Sequence, residues 1–281
     1  MTTQTRPKPQ VRTGHAAGAG AGDPATVAKR LAVPAVGAGV LGGLVLIATM
    51  TIVMGAAGMG YASPLNLGMP AFVYTIAPPV HMLPQLIAAM GINLPPTAMS
   101  QLAPAIQSGH ISAPMAHQLG AMLLGMHVPA AQVQMMGQLM TGHASNATVA
   151  TLLGHLSPAA RNSIMAAMPV SAGHVVVGLI LHVAFSAFLG LAFFAIIGAA
   201  AWFGPSILRS KMAFMAIGVA GGAVVYVVNR FVLLPPTNPM MGLVPQIAFF
   251  LAHLLFGLVV GTAFAMAYGR RSVGDALPAV R

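Results

Sequence analysis

Acidic side chains are almost missing from this chain: Asp23 and Asp275 are the only two, and both lie in its polar tails. The apolar interior therefore has no carboxylate. That excludes paired-carboxylate acid/base catalysis, Asp/Glu cages for Mg²⁺ or Ca²⁺, and proton relays built on intramembrane Asp or Glu. Cysteine is absent altogether, which removes disulfides, thiolate zinc sites, iron–sulfur clusters and a cysteine nucleophile. Charge of either sign is scarce. Only 5% of residues are charged, against roughly 25% in soluble globular domains. P-loop, Rossmann, Ser-His-Asp and HExxH patterns are also missing, so no catalytic signature points to an enzyme.

What is present is apolar and basic. The mean hydropathy is +0.85 and the formal net charge +10. The cations are not gathered on a soluble face with interleaved aromatics, so nucleic acid is not the partner. They flank apolar stretches instead. Arg6, Lys8, Arg12, Lys29 and Arg30 precede the first stretch, Arg209 and Lys211 separate the second from the third, and Arg270 and Arg271 follow the fourth. Between the first two stretches the only cation besides histidine is Arg161. The positive-inside bias then places both termini in the cytoplasm and the long segment outside, in a bacterial inner membrane.

A helix needs ~20 apolar residues to span the hydrocarbon core. Four segments qualify, at 31–60, 175–201, 212–234 and 246–269. The expected fold is an all-α integral membrane protein with four transmembrane helices. Residues 1–30 read as a disordered basic tail, 202–211 as a cytoplasmic loop, 235–245 as an outer loop and 270–281 as a cytoplasmic tail. The first apolar run is too long for a cleaved signal peptide. Trp202 and Tyr268 fall near the expected inner boundary and Tyr61 near the outer one, where amphipathic rings prefer to sit.

An internal repeat relates the segments. Gly39-Val40-Leu41-Gly42-Gly43 recurs as Gly218-Val219-Ala220-Gly221-Gly222. His182, Phe185, Gly190, Ala192, Phe193 and Gly198 correspond at constant offset to His253, Phe256, Gly261, Ala263, Phe264 and Gly269. Pro64 and Asn66 are echoed by Pro236 and Asn238. The expected unit is a helical hairpin duplicated as a parallel repeat. Gly39 with Gly43, and Gly218 with Gly222, form GxxxG faces that let backbones approach closely.

The first hairpin carries an insertion within 61–174, expected as an extracytoplasmic Met/His-rich domain of short helices. Proline at helix starts and glycine at helix ends mark six runs: Pro84 to Gly91, Pro96 to Gly109, Pro114 to Gly125, Pro129 to Gly142, Asn146 to Gly154, and Pro158 to Met168. Their polar faces use Gln, Ser, Thr, Asn and His, so the domain is expected to lie against the membrane or a partner.

Histidine is the remaining candidate for chemistry. Seven of the ten histidines and twelve methionines fall within this insertion, and imidazole with thioether suits copper. The metal candidates are His81 with Met82, Met126 with His127, and Met136, Met140 and His143 spaced to share a helical face. The competing reading has methionines filling the core and histidines closing helix ends. A third reading is pH sensing, since imidazoles titrate near ~6.5.

His182 and His253 differ from these because both lie within spanning segments at matching repeat positions, each ~10 Å deep at about 1.5 Å per residue. Facing one another they would bracket haem b, chelate copper or hydrogen-bond a quinone head; otherwise each donates to a neighbouring helix. Arg230 is expected to snorkel toward the interface. The resulting expectation is a non-enzymatic accessory or structural subunit whose outer domain contacts a protein partner or a second copy. The alternatives are a haem- or copper-binding protein, and a small-molecule or ion carrier working as an oligomer.

Overall fold

The computed structural model describes residues 24–203 and 210–268. The expectations resting on Arg6, Lys8, Arg12, Asp23, Arg209, Gly269, Arg270, Arg271 and Asp275 lie outside the described residues, as do those on the side chains of Trp202 and Tyr268. Among the described residues the chain is helical and forms no strand. Four helices are long and apolar enough to cross a membrane: Ala32–Ala56, Ala172–Ile197, Lys211–Thr237 and Gln246–Ala267. Large apolar side chains stand exposed along them, Phe188 at 62%, Val224 at 61% and Ile247 at 77%, as expected where the solvent is lipid.

Helix α1 (Pro24–Ala56) begins earlier than the span expected at 31, since proline is tolerated in a first helical turn. It ends at Gly58 and Gly60, both of positive φ. Residues Pro64–Gly68 form a π-helical turn and Met69–Phe72 a 3₁₀ turn. Six short helices follow: α2 (Leu83–Ala89), α3 (Pro96–Ser108), α4 (Ala113–Gly125), α5 (Ala130–Met140), α6 (Asn146–Gly154) and α7 (Pro158–Ala167). Ser112, Ser145 and Ser157 cap α4, α6 and α7 by accepting backbone N–H groups of Met115, Thr148 and Ala160. The chain then runs through α8 (Ala172–Phe203), α9 (Lys211–Val227), a π-helical segment Val228–Leu233, α10 (Leu234–Thr237), a 3₁₀ turn Pro239–Leu243 and α11 (Gln246–Tyr268).

Helix α1 packs on α8, α9 packs on α11, and α1 also lies along α11, whereas α8 and α9 barely touch. The first two contacts rest on glycine. A Cβ built at Gly39 would lie 2.8 Å from Gly190 Cα, and one at Gly218 would lie 2.8 Å from Gly261 Cα. Gly43 abuts Ser186, and Gly222 abuts Gly257. The partner of each GxxxG face is thus a second small-xxx-small pair, Ser186/Gly190 or Gly257/Gly261, a signal equally present in the sequence.

Two cores flank the middle of the bundle. One, built on Phe193, Phe214, Phe256 and Phe264, fills the half away from the short helices. The other runs from Met50 and Met54 through Leu86, Leu102, Leu123, Met136 and Leu153 to Met240 and Phe249, so the short helices share a core with the ends of both hairpins. Asparagine side chains fix the junction. Asn146 accepts from Ile76 N–H at 2.7 Å and donates to the carbonyls of Ala71 at 2.9 Å and Tyr74 at 2.7 Å. Asn66 accepts from Ser171 N–H at 3.0 Å and donates to Pro169 O at 3.2 Å. Asn162 donates to Ala57 O at 2.8 Å, and Asn238 donates to Gly68 O.

Candidate functional site

Between the two cores, in the half of the bundle nearer the short helices, lies a chamber of about 500 Å³. Helices α1, α8, α9 and α11 and the turns after α1 and α9 all contribute to its wall. The lining is aliphatic, thioether and aromatic, with Met50, Leu189, Val225 and Phe249 representative. His182, His253 and Asn229 are its nitrogen-bearing side chains. Apolar helices that pack through glycine at one end and diverge at α8 and α9 leave this space open.

The two histidines of the long apolar helices are buried, His182 at 8% and His253 at 3% exposure, and they line the same chamber. Their hydrogen bonds differ. His182 Nε2 reaches across to α1 and meets Gly43 O at 2.8 Å. His253 Nδ1 meets Phe249 O at 2.7 Å, one turn back on its own helix, while its Nε2 faces Asn229 Nδ2 at 3.2 Å. Phe249 and Tyr226 hold the His253 ring, with centroids 4.3 Å and 5.9 Å away. Asn229 sits in the π-helical segment Val228–Leu233, and such insertions re-aim side chains and recur at functional sites. The sequence reading missed Asn229, although an amide within an apolar run is a signal of the same kind as an intramembrane histidine. Arg230 donates to Met241 O at 3.1 Å, in the 3₁₀ turn Pro239–Leu243.

Bis-imidazole ligation of haem, or a two-histidine copper site, needs a free ring nitrogen on each side aimed at one point. Here each ring donates from one nitrogen to a carbonyl, His182 Nε2 to Gly43 O and His253 Nδ1 to Phe249 O, which leaves His182 Nδ1 and His253 Nε2 for a ligand, the latter already met by Asn229 Nδ2 at 3.2 Å.

The Met/His candidates separate. Met82, Met136 and Met140 are buried in the core, whereas His81, His127 and His143 are exposed and Met126 is 38% exposed. Met136, Met140 and His143 do not share a helical face. Helix α5 ends at Met140, and Gly142 at φ 74° turns the chain before His143. Helix α4 likewise ends at Gly125, and His127 itself adopts φ 63°, donating its N–H to Leu124 O in the closing turn. No group of three or more His, Cys, Asp or Glu side chains gathers to hold a metal ion among the described residues. His110, His117 and His155 are also exposed, and His174 packs against Tyr74 with ring centroids 4.8 Å apart and planes tilted by 31°.

The chain matches no family model, no curated protein and no solved structure.

Proposed function

We propose that this is a non-enzymatic, multi-pass bacterial inner-membrane protein that holds a lipophilic molecule between two repeated helical hairpins. The observation that carries this reading is the chamber itself. Its volume of about 500 Å³ falls in the range of small-molecule sites, roughly 300–1,000 Å³, and a mostly apolar wall with a few convergent polar groups is their usual composition. A ligand that dissolves in lipid can reach a site walled by spanning helices without crossing water. His182, His253 and Asn229 supply the orientation that an apolar wall cannot.

The repeat reading is supported by paired contacts. Each GxxxG face meets the second helix of its own hairpin, while the middle glycines Gly42 and Gly221 receive Phe256 and Phe193 from the opposite hairpin. With basic residues flanking the first span and the link between the second and third, the termini are cytoplasmic and the short helices extracytoplasmic. A protein partner or second copy docking on those helices is a further reading, favoured by Leu124, 50% exposed, beside half-buried and exposed neutral side chains of α4 and α5.

Extraction of the purified full-length protein, followed by mass spectrometry, tests the binding function. The wild type is expected to retain one lipophilic compound in stoichiometric amount. Val225→Trp, which fills the chamber, is expected to lose it while keeping its elution volume. Identical extracts containing only bulk phospholipid in both proteins would refute the proposal, and a Soret band in the wild type would restore the haem alternative.

A further inference from the structure

The protons of the chamber's polar groups are already assigned by their partners. A carbonyl oxygen only accepts, so the contact with Gly43 O fixes His182 with its proton on Nε2 and leaves Nδ1 an acceptor. The Phe249 carbonyl likewise fixes the proton of His253 on Nδ1. Nε2 of that ring then accepts from Asn229 Nδ2, which orients the amide and leaves Asn229 Oδ1 as an acceptor. Two lining hydroxyls follow the same pattern. Ser63 donates to Met59 O and Thr237 donates to Leu233 O, so each presents lone pairs only. The remaining donor capacity is the second amide hydrogen of Asn229 and the hydroxyl of Ser186.

Charge is excluded at both signs. No Lys or Arg lines the chamber, so an anionic head would be buried without a counter-ion. The described residues contain no Asp or Glu at all, so a cationic head would be equally unpaired. Building on the reading that the chamber holds a lipophile, we infer that its ligand is uncharged and carries a hydroxyl that donates a hydrogen bond into the chamber, as a hydroquinone or a long-chain alcohol does. A quinone presents only carbonyl oxygens, and these would confront a wall made largely of acceptors.

The test uses the full-length protein in detergent and a matched set of probes: a decyl-substituted hydroquinone, the corresponding benzoquinone, decanol, and decylbenzene as an apolar control. Binding is followed by calorimetry. The hydroquinone is expected to bind about ten-fold more tightly than the benzoquinone, the difference of one well-made hydrogen bond, and decanol more tightly than decylbenzene. Asn229→Leu removes the second amide hydrogen and uncovers His253 Nε2 as an acceptor, so it is expected to weaken benzoquinone binding and widen the hydroquinone preference, and a narrowed preference would count against the assignment. The wild-type comparison decides the matter even if that variant fails to fold. Equal affinities, or a preference for the benzoquinone, would overturn the assignment of a donor head and leave the chamber reading intact. Failure of all four probes to bind would remove the chamber reading and this inference together.

Discussion

Gly39→Val is expected to separate α1 from α8 and to cost a large part of the stability. A Cβ at this position would overlap the Ser186 carbonyl oxygen and lie 2.8 Å from both Gly190 Cα and Gly190 N. Those are backbone atoms, which cannot swing aside as a side chain can. Overpacking costs about 1–3 kcal/mol where neighbours can yield, and here the helices themselves have to move. Gly218→Val should act alike, because a Cβ there lies 2.8 Å from Gly261 Cα. Gly37→Ala is the control, since nothing stands within 4 Å of its Cβ. Thermal unfolding in detergent should show Gly37→Ala near the wild type and both valine variants strongly destabilised or aggregated. A Gly39→Val protein as stable as Gly37→Ala would mean that α1 and α8 do not meet at this point.

Asn66→Ala is expected to be damaging as well, for a polar reason. Asn66 is 3% exposed, and its amide holds both Ser171 N–H and Pro169 O where the chain enters α8. Removing it frees two part-buried groups, the Ser171 N–H and the Pro169 carbonyl, at about 1–2 kcal/mol. The melting temperature should fall by several degrees, and proteolysis should become faster between the short helices and α8. Asn162→Ala removes a single bond to Ala57 O and should cost less. Equal stability of the Asn66 and Asn162 variants would show that the turn after α1 does not anchor α8.

The parts of this structure that local chemistry dictates were legible in the sequence. Asn146 and Gly154 were expected to bound a helix and do so in α6, because a polar start and a glycine end act within one turn. The four apolar stretches were equally plain, since length and hydropathy need no knowledge of neighbours. Long-range register was not legible. That the segment after α9 would present Asn229 to His253 depends on how α9 and α11 are rotated and on a π-helical insertion at Val228–Leu233, and neither leaves a periodic trace. The supposed face of Met136, Met140 and His143 failed for a local reason that was available: Gly142 breaks the helix between them. Matching positions of His182 and His253 pointed to one shared site, but not to their unlike hydrogen bonds. The first reaches a glycine carbonyl on another helix and the second its own helix.

The most direct test of the account is photolabelling in lipid with a small apolar diazirine, followed by peptide mapping. Phe188, Val224 and Ile247, exposed on the outside of this bundle, are expected to react whether or not the chamber admits the probe. A chamber open to lipophiles predicts additional adducts on Met50, Leu189 and Val225, suppressed when the decyl-substituted hydroquinone is present. Adducts confined to the lipid-facing set, unchanged by any competitor, would contradict it.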